Sequence, residues 1–176
     1  MKIPQLPIRI RTSGITWIAV LATIPVLSIF GRPLQRLLRE HITSAQLAAG
    51  FLLCSLALLF ILARKTTISS IRDRFLHLSW SAILYLVVPW FLPTVEERLH
   101  FIVFGVLGFL SETNFGLKRS LVICLFVGGL DEILQWVLPD RVGDLRDVGF
   151  NWLASIGGCF LSYYLIKRNE IPDPVN

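Results

Sequence analysis

The chain has 176 residues, of which 54% are hydrophobic and only 16% are charged. A soluble domain of this size carries about a quarter charged residues, so the composition excludes most classes of soluble enzyme and predicts a membrane protein. Lys and Arg number 17 against 12 Asp and Glu, for a formal net charge of +5. Basic residues retained on the cytoplasmic side of a membrane produce such an excess by themselves, and we therefore expect no nucleic-acid partner.

Six apolar stretches approach the roughly 20 residues that a helix needs to cross the hydrocarbon core of a bilayer. They predict an all-α fold, a polytopic integral membrane bundle of about six transmembrane helices. The fourth stretch is short, and the preceding Thr94-Val95-Glu96-Glu97 matches a capping box in which Thr94 starts the helix. The predicted spans are residues 14–30, 45–63, 75–92, 99–111, 119–138 and 148–166.

The region around the first two spans has features of its own. Arg32, Arg36 and Arg39 follow the first span at helical spacing, with leucines on the opposite side, which predicts a short interfacial helix. No small-residue cleavage pattern follows the first span, so we expect it to remain in the mature protein. The chain then divides into a two-helix membrane segment with an interfacial helix at 1–70, a helical domain at 75–166 and a short polar tail at 167–176.

The distribution of basic residues predicts the orientation of the spans. With both termini in the cytoplasm, 11 of the 17 Lys and Arg residues lie inside and 6 lie outside, as the positive-inside rule requires. The start of helix four, the end of helix five and the start of helix six then share the extracytoplasmic side. These three ends lie together under either orientation.

Most of the acidic residues fall at those three helix ends. Asp131 precedes Leu138 by seven residues, which places its carboxylate about 10 Å inside the end of helix five. A carboxylate at that depth faces the bundle interior with a partner and is a candidate functional group. Gln135 lies one turn later on the same face. The alternative is a structural ion pair of Asp131 or Glu132 with an arginine, either Arg98 or Arg141.

Helix four contributes Glu96 and His100, which are neighbours at i, i+4. A histidine beside a carboxylate can hold a proton near neutral pH and pass it on, which suits general acid–base catalysis. His100 could equally anchor its helix at the membrane interface. Both interpretations of this residue stay open from the sequence.

The loop and first turns of helix six contribute Arg141, Asp144, Asp147 and Asn151. Acidic residues at a helix start stabilise the helix dipole, which is the simplest role for Asp144. Alternatively, Arg141 binds the phosphate or carboxylate of a headgroup, or the oxygen-rich cluster binds a divalent cation such as Mg²⁺ or Ca²⁺. No spacing here is diagnostic of a metal site, and the identity of any cofactor stays unknown.

Three motifs follow one another in residues 75–166: His100-x-x-x-Phe104-x-x-x-Gly108, Asp131-Glu132-x-x-Gln135, and the series Arg141, Asp144, Asp147, Asn151 and Gly157. Together they resemble the VanZ-like family of small bacterial membrane proteins. The family often has a Lys three residues before the histidine and a Tyr four after it, where this chain has Glu97 and Phe104. The resemblance implies a protein of the bacterial cytoplasmic membrane and cell envelope, in a family whose named member is associated with low-level resistance to the glycopeptide teicoplanin. It implies no particular reaction.

Two functions of different classes follow. In the first, the polar residues bind or act on an envelope lipid or lipid-linked cell-wall precursor, with Arg141 on an anionic headgroup. If the site is catalytic, Glu132 or His100 is the general base and Asp131 orients it. The substrate-binding candidates are Glu96, Gln135, Arg141, Asp144, Asp147 and Asn151.

In the second, the protein is a non-enzymatic interaction or scaffold protein that engages a wall-synthesis partner, and the polar cluster is structural. Transport of protons or cations ranks last, because the inner halves of helices four to six offer little beyond Glu112 and Ser162.

Overall fold

The structure of the protein is a computed structural model that describes residues 9–65, 70–92, 94–139 and 143–166. Helices account for nearly all of the described residues, which contain no strand. This confirms the all-α prediction, and the predicted tail at 167–176 lies outside the described residues. The described residues form six α-helices, namely α1 (Arg9–His41), α2 (Ser44–Lys65), α3 (Ile71–Ala82), α4 (Val95–Phe115), α5 (Leu117–Val137) and α6 (Leu145–Ile166).

The third predicted span is not one regular helix. After α3 the chain forms a π-helical segment, Ile83–Val87, and then a 3₁₀ segment, Val88–Phe91, that contains Pro89. Proline supplies no N–H for the helical ladder, and the wider and tighter turns on either side adjust the backbone around it. Tyr85 in the π segment is buried and donates its hydroxyl to the carbonyl of Ala154 on α6 at 2.7 Å. The irregular segment is therefore tied to the centre of the bundle.

The start of α4 follows the predicted capping box. Thr94 has an extended backbone conformation, and its Oγ1 accepts the backbone N–H of Glu97 at 3.2 Å. The same hydroxyl donates to the Glu97 carboxylate at 3.2 Å. The expected N-cap at Thr94 is confirmed, and α4 is longer than its apolar stretch because of it.

The arginine-rich segment expected to form a separate interfacial helix is instead the last part of α1. That helix runs without a break for 33 residues, from Arg9 to His41. Pro25 and Pro33 lie inside it, and each removes one backbone hydrogen bond without ending the helix.

Close packing of α4 on α6 organises the bundle. A Cβ added at Gly108 would overlap the carbonyl of Ser155, and one added at Gly158 would overlap the carbonyl of Gly105. Small residues at a crossing allow two helix backbones to approach closely. The glycines at this crossing therefore allow α4 and α6 to approach closely. The crossing fixes the start of α6 against the start of α4.

Ionisable side chains are buried in the bundle while many large apolar side chains are exposed on its surface. Among the described residues, Asp131, Glu132 and Glu112 are buried, whereas large apolar side chains such as Phe126 and Ile29 are exposed. In the part of the chain that the structure describes, two helical stretches are long and apolar enough to cross a membrane, Gly14–Leu34 and Leu117–Val137, and Ala45–Phe60 is a shorter apolar helix. These features indicate a membrane protein, and six crossings stays a prediction.

Candidate functional site

Four helices bring buried polar side chains to one end of the bundle. Each is at most 7% exposed, although buried polar groups are costly unless they are hydrogen-bonded. We call this group the polar cluster. Its members are Ser28 from α1, His100 from α4, Asp131, Glu132 and Gln135 from α5, and Asn151 from α6.

Asp131 lies at the centre of the polar cluster. One carboxylate oxygen, Oδ1, accepts a short hydrogen bond from the Ser28 hydroxyl. The other, Oδ2, accepts the side-chain amide of Gln135 at 3.1 Å and lies 3.7 Å from Nε2 of His100. Nε2 of His100 is also 3.3 Å from the Ser28 oxygen. Ser28, His100 and Asp131 therefore touch one another pairwise.

Glu132 links α5 to the start of α6. Its Oε2 accepts the backbone N–H of Asp144 at 3.2 Å, and its Oε1 accepts the side-chain amide of Asn151 at 3.5 Å. The Gln135 amide nitrogen that binds Asp131 also lies 3.3 Å from Oε1 of Glu132. Gln135 thus donates to both carboxylates and holds them side by side.

Arg146 lies at the edge of the polar cluster, with its side chain half exposed. Its guanidinium pairs with Asp144, just before α6, at 3.8 Å, with Asp147 on α6 at 3.4 Å, and with Glu97 on α4 at 3.6 Å. Burial raises the pKa of the Asp147 carboxyl above its ordinary value, and Arg146 opposes part of that rise. The acidic start of α6 is therefore tied to α4 through one cation.

The structure brings together His100, Asp131, Glu132, Gln135 and Asn151, as the sequence predicted. Two of the other candidates occupy the edge. Asp144 reaches Glu132 through its backbone N–H, while its carboxylate, like that of Asp147, faces Arg146. Arg141, which was predicted to bind an anionic headgroup, lies outside the described residues, and so does the side chain of Glu96.

Arg98 does not form the structural ion pair that the sequence allowed. Its guanidinium donates to the carbonyl of Leu92 at 3.2 Å and lies over the Trp90 ring, 5.2 Å from the centroid. It therefore stabilises the turn before α4. The described part of the chain contains no group of three or more His, Cys, Asp or Glu side chains placed to bind a metal ion.

Ser28 is the member of the polar cluster that the sequence analysis missed. It lies in the middle of the first apolar stretch, and its hydroxyl also lies 3.1 Å from the carbonyl of Ile24. Serines in apolar helices commonly bond their own backbone in this way, as Ser120 does with Gly116 on α5. The only signal in the sequence was its position three residues after Pro25, which is weak.

A second buried polar pair lies near the other end of α4. The Ser162 hydroxyl donates to Oε2 of Glu112 at 2.6 Å, which joins α6 to α4. The neighbouring Ser111 accepts the indole N–H of Trp17 at 2.8 Å, which joins α1 to α4. These contacts bind both helices to α4 at the end away from the polar cluster.

A family model described as VanZ/LLP1 matches residues 19–167, most of the chain. The chain belongs to the VanZ/LLP1 family. This confirms the resemblance found in residues 75–166 and extends it, because the match includes all of α2 and most of α1. Ser28 therefore lies in the VanZ/LLP1 region together with the rest of the polar cluster. No curated protein and no solved structure matches the chain.

Proposed function

We propose that this VanZ/LLP1 protein binds the headgroup of an envelope lipid or lipid-linked cell-wall precursor in the polar cluster. The observation that carries the proposal is the pair of buried carboxylates, Asp131 and Glu132, which lie side by side and accept hydrogen bonds from donors on α1, α5 and α6. Ionisable groups inside a membrane bundle are expensive to bury and usually mark a site.

The chemistry of the polar cluster favours one kind of headgroup. Carboxylates accept hydrogen bonds from hydroxyl or amine groups, and the amides of Gln135 and Asn151 both donate and accept. Arg146 at the edge can bind a phosphate. The arrangement therefore fits a phosphate-bearing lipid whose head carries hydroxyl or amine groups. In this proposal Arg141 and Glu96, whose side chains are not described, also bind the headgroup.

The test is to ask which lipids remain bound to the purified protein. Native mass spectrometry of protein extracted gently from its membrane should show a retained phosphorylated lipid, which Asp131→Asn and Glu132→Gln lose. The control is Thr113→Val, because Thr113 is exposed and bonds only the carbonyl of Leu110 in its own helix. Equal lipid retention by all four folded proteins would contradict the proposal.

The second candidate is a non-enzymatic scaffold that engages a wall-synthesis protein. It is favoured by the internal hydrogen bonding of the polar cluster, because Gln135, Asn151 and Ser28 already satisfy the two carboxylates. Under this function the neutral variants lower stability but retain a crosslinked partner protein. Under the first function they lose the lipid without losing the fold.

We also propose that the protein lies in the bacterial cytoplasmic membrane with both termini in the cytoplasm and the polar cluster at the extracytoplasmic side. The family and the 11-to-6 distribution of basic residues support this placement. A membrane-impermeant thiol reagent should therefore label Thr94→Cys, but not Lys118→Cys, in intact cells of a Cys54→Ala, Cys124→Ala, Cys159→Ala background.

A change in teicoplanin susceptibility on expression would test the link to glycopeptide resistance.

A further inference from the structure

Ser28, His100 and Asp131 form a group that binding alone does not require. The three side chains come from α1, α4 and α5, and Ser28 is fully buried. The Ser28 hydroxyl donates to Asp131, and its oxygen lies 3.3 Å from Nε2 of His100. A hydroxyl in hydrogen-bond contact with a base, which is itself oriented by a third group, is the arrangement of an activated nucleophile.

The roles of the three groups follow from the atoms that face each other. Asp131 is the direct acceptor of the Ser28 proton, and Gln135 orients it through the 3.1 Å hydrogen bond to Oδ2. His100 presents the same nitrogen to both partners, so it does not relay a proton between them as the histidine of a serine protease does. It is placed to stabilise the Asp131 carboxylate.

The surrounding charge selects the type of bond that Ser28 can attack. Glu132 lies beside Asp131, and Gln135 donates to both carboxylates. A phosphodiester attacked by Ser28 would bring further negative charge next to this pair. A carboxylic ester is uncharged. The side-chain amide of Asn151 has two N–H groups and donates to Glu132 at 3.5 Å, so it can also donate to the oxyanion that forms on an attacked carbonyl.

The depth of Ser28 also fits an ester. Its partner Asp131 lies about 10 Å from the end of α5, whereas Arg146 and Asp147 lie in the first turn of α6 at the edge. A lipid with its phosphate at Arg146 therefore extends its glycerol esters inward, toward Ser28. The acyl chains then continue along the apolar surface of the bundle.

We propose that Ser28 is the nucleophile of an acyl-transfer reaction on a carboxylic ester of a membrane lipid, an inference that rests on the proposed function. The Ser28 oxygen bonds to the carbonyl carbon while its proton passes to Asp131. The ester C–O bond then breaks, the alcohol leaves with that proton, and the acyl group stays on Ser28. Water attacks the acyl-serine to release a carboxylic acid and restore the Ser28 hydroxyl.

The experiment is covalent labelling of the full chain in lipid nanodiscs with a long-chain alkyl fluorophosphonate. In this reaction the Ser28 oxygen bonds to phosphorus, fluoride leaves, and Asp131 takes the proton. Intact-mass and peptide analysis should show one adduct, on Ser28, and none on Ser28→Ala. Ser120→Ala, which removes a buried hydroxyl bonded to its own helix, should label like wild type.

Asp131→Asn should slow the labelling at least about 100-fold, as expected for loss of a general base. An absence of adduct on folded wild type, or an adduct mapped to another residue, would overturn the proposal. Because the adduct is mapped on wild type, this result does not depend on the folding of Ser28→Ala. The proposed lipid-binding function fails separately, if wild type retains no lipid in the native mass spectrum.

Discussion

At the scale of single residues, Gln135 is the donor that Asp131 and Glu132 share. Gln135→Met keeps the length of the side chain and removes the donor, so both buried carboxylates lose a hydrogen bond. We expect a loss of about 1–3 kcal/mol in the free energy of unfolding, because an unsatisfied buried acceptor bears its desolvation cost. Thermal unfolding in detergent measures it.

The control for that variant is Ile133→Met, on the exposed face of the same helix. It should unfold within about 0.5 kcal/mol of wild type, as surface substitutions usually do. If Gln135→Met is as stable as this control, the contacts of Gln135 do not hold the two carboxylates together.

Asp147, just before the sixth predicted span, makes stability depend on pH. Burial raises the pKa of its carboxyl in the folded protein, chiefly by desolvation. The folded state therefore keeps a proton at pH values where the unfolded chain has released it, so the free energy of unfolding falls as pH rises through this range. The stabilisation that depends on this proton is complete at pH values below the ordinary aspartate pKa. It is lost at pH values above the raised pKa of Asp147 in the folded protein.

Unfolding midpoints measured across this pH range should fall less steeply for Asp147→Asn, which has no carboxyl to titrate. Glu40→Gln removes a negative charge from the exposed end of α1 and should keep the wild-type slope. Parallel curves for wild type and Asp147→Asn would show that this carboxyl does not contribute the expected pH dependence.

The predictable residues were those whose spacing carries information. Asp131 and Gln135 share a helix face at i, i+4, and a carboxylate seven residues inside a helix end must point inward. Ser28 carries no such information, because a serine can satisfy its hydroxyl on its own helix wherever it lies. Its role depends on how α1 packs, which no local pattern specifies.

At the scale of elements, α4 and α5 are joined through one residue, Gly116. Its backbone has φ 75° and ψ 161°, a region that is almost restricted to glycine. Gly116→Ala places a Cβ in that conformation and should destabilise the protein by about 1–3 kcal/mol. Scanning calorimetry or thermal unfolding in detergent measures the loss.

Gly129→Ala is the matched control, since nothing lies within 4 Å of a Cβ added there. Alanine is favoured over glycine inside a helix by about 0.5–1 kcal/mol, so this variant should be neutral or slightly stabilised. If Gly116→Ala and Gly129→Ala unfold at the same temperature, the connection between α4 and α5 does not require the glycine conformation at residue 116.

The helices were predictable where apolar length and caps agree, as at Thr94 for α4. They were not predictable where the backbone departs from regular geometry. In the apolar run after Ile71, Pro89 indicates a departure from regular helix, but it does not specify the π and 3₁₀ segments observed. Likewise, Arg32, Arg36 and Arg39 have the periodicity of an interfacial helix, but the same periodicity continues α1 to His41.

At the scale of the whole molecule, α1 belongs with the helices that form the polar cluster. Trp17 binds Ser111 on α4, and Ser28 contacts His100 and Asp131. The sequence separated α1 and α2 from the helical domain because their polar residues are few and lack motif spacing. The VanZ/LLP1 match from residue 19 includes them, and we expect α1 to form one structural unit with the helical domain.

This unit can be tested by dividing the chain between its helices. We expect a tagged fragment of residues 1–43, containing α1, to copurify with a co-expressed fragment of residues 66–176, because α1 packs directly on α4 and α5. Helices that insert independently can associate afterwards through side-chain packing and hydrogen bonds.

Ser28→Leu in the first fragment should reduce recovery several-fold by disrupting the contacts with His100 and Asp131, whereas Ile15→Leu, on an exposed position, should not. If the two fragments copurify only when residues 44–65 are also present, assembly depends on α2 and not on the direct contacts of α1.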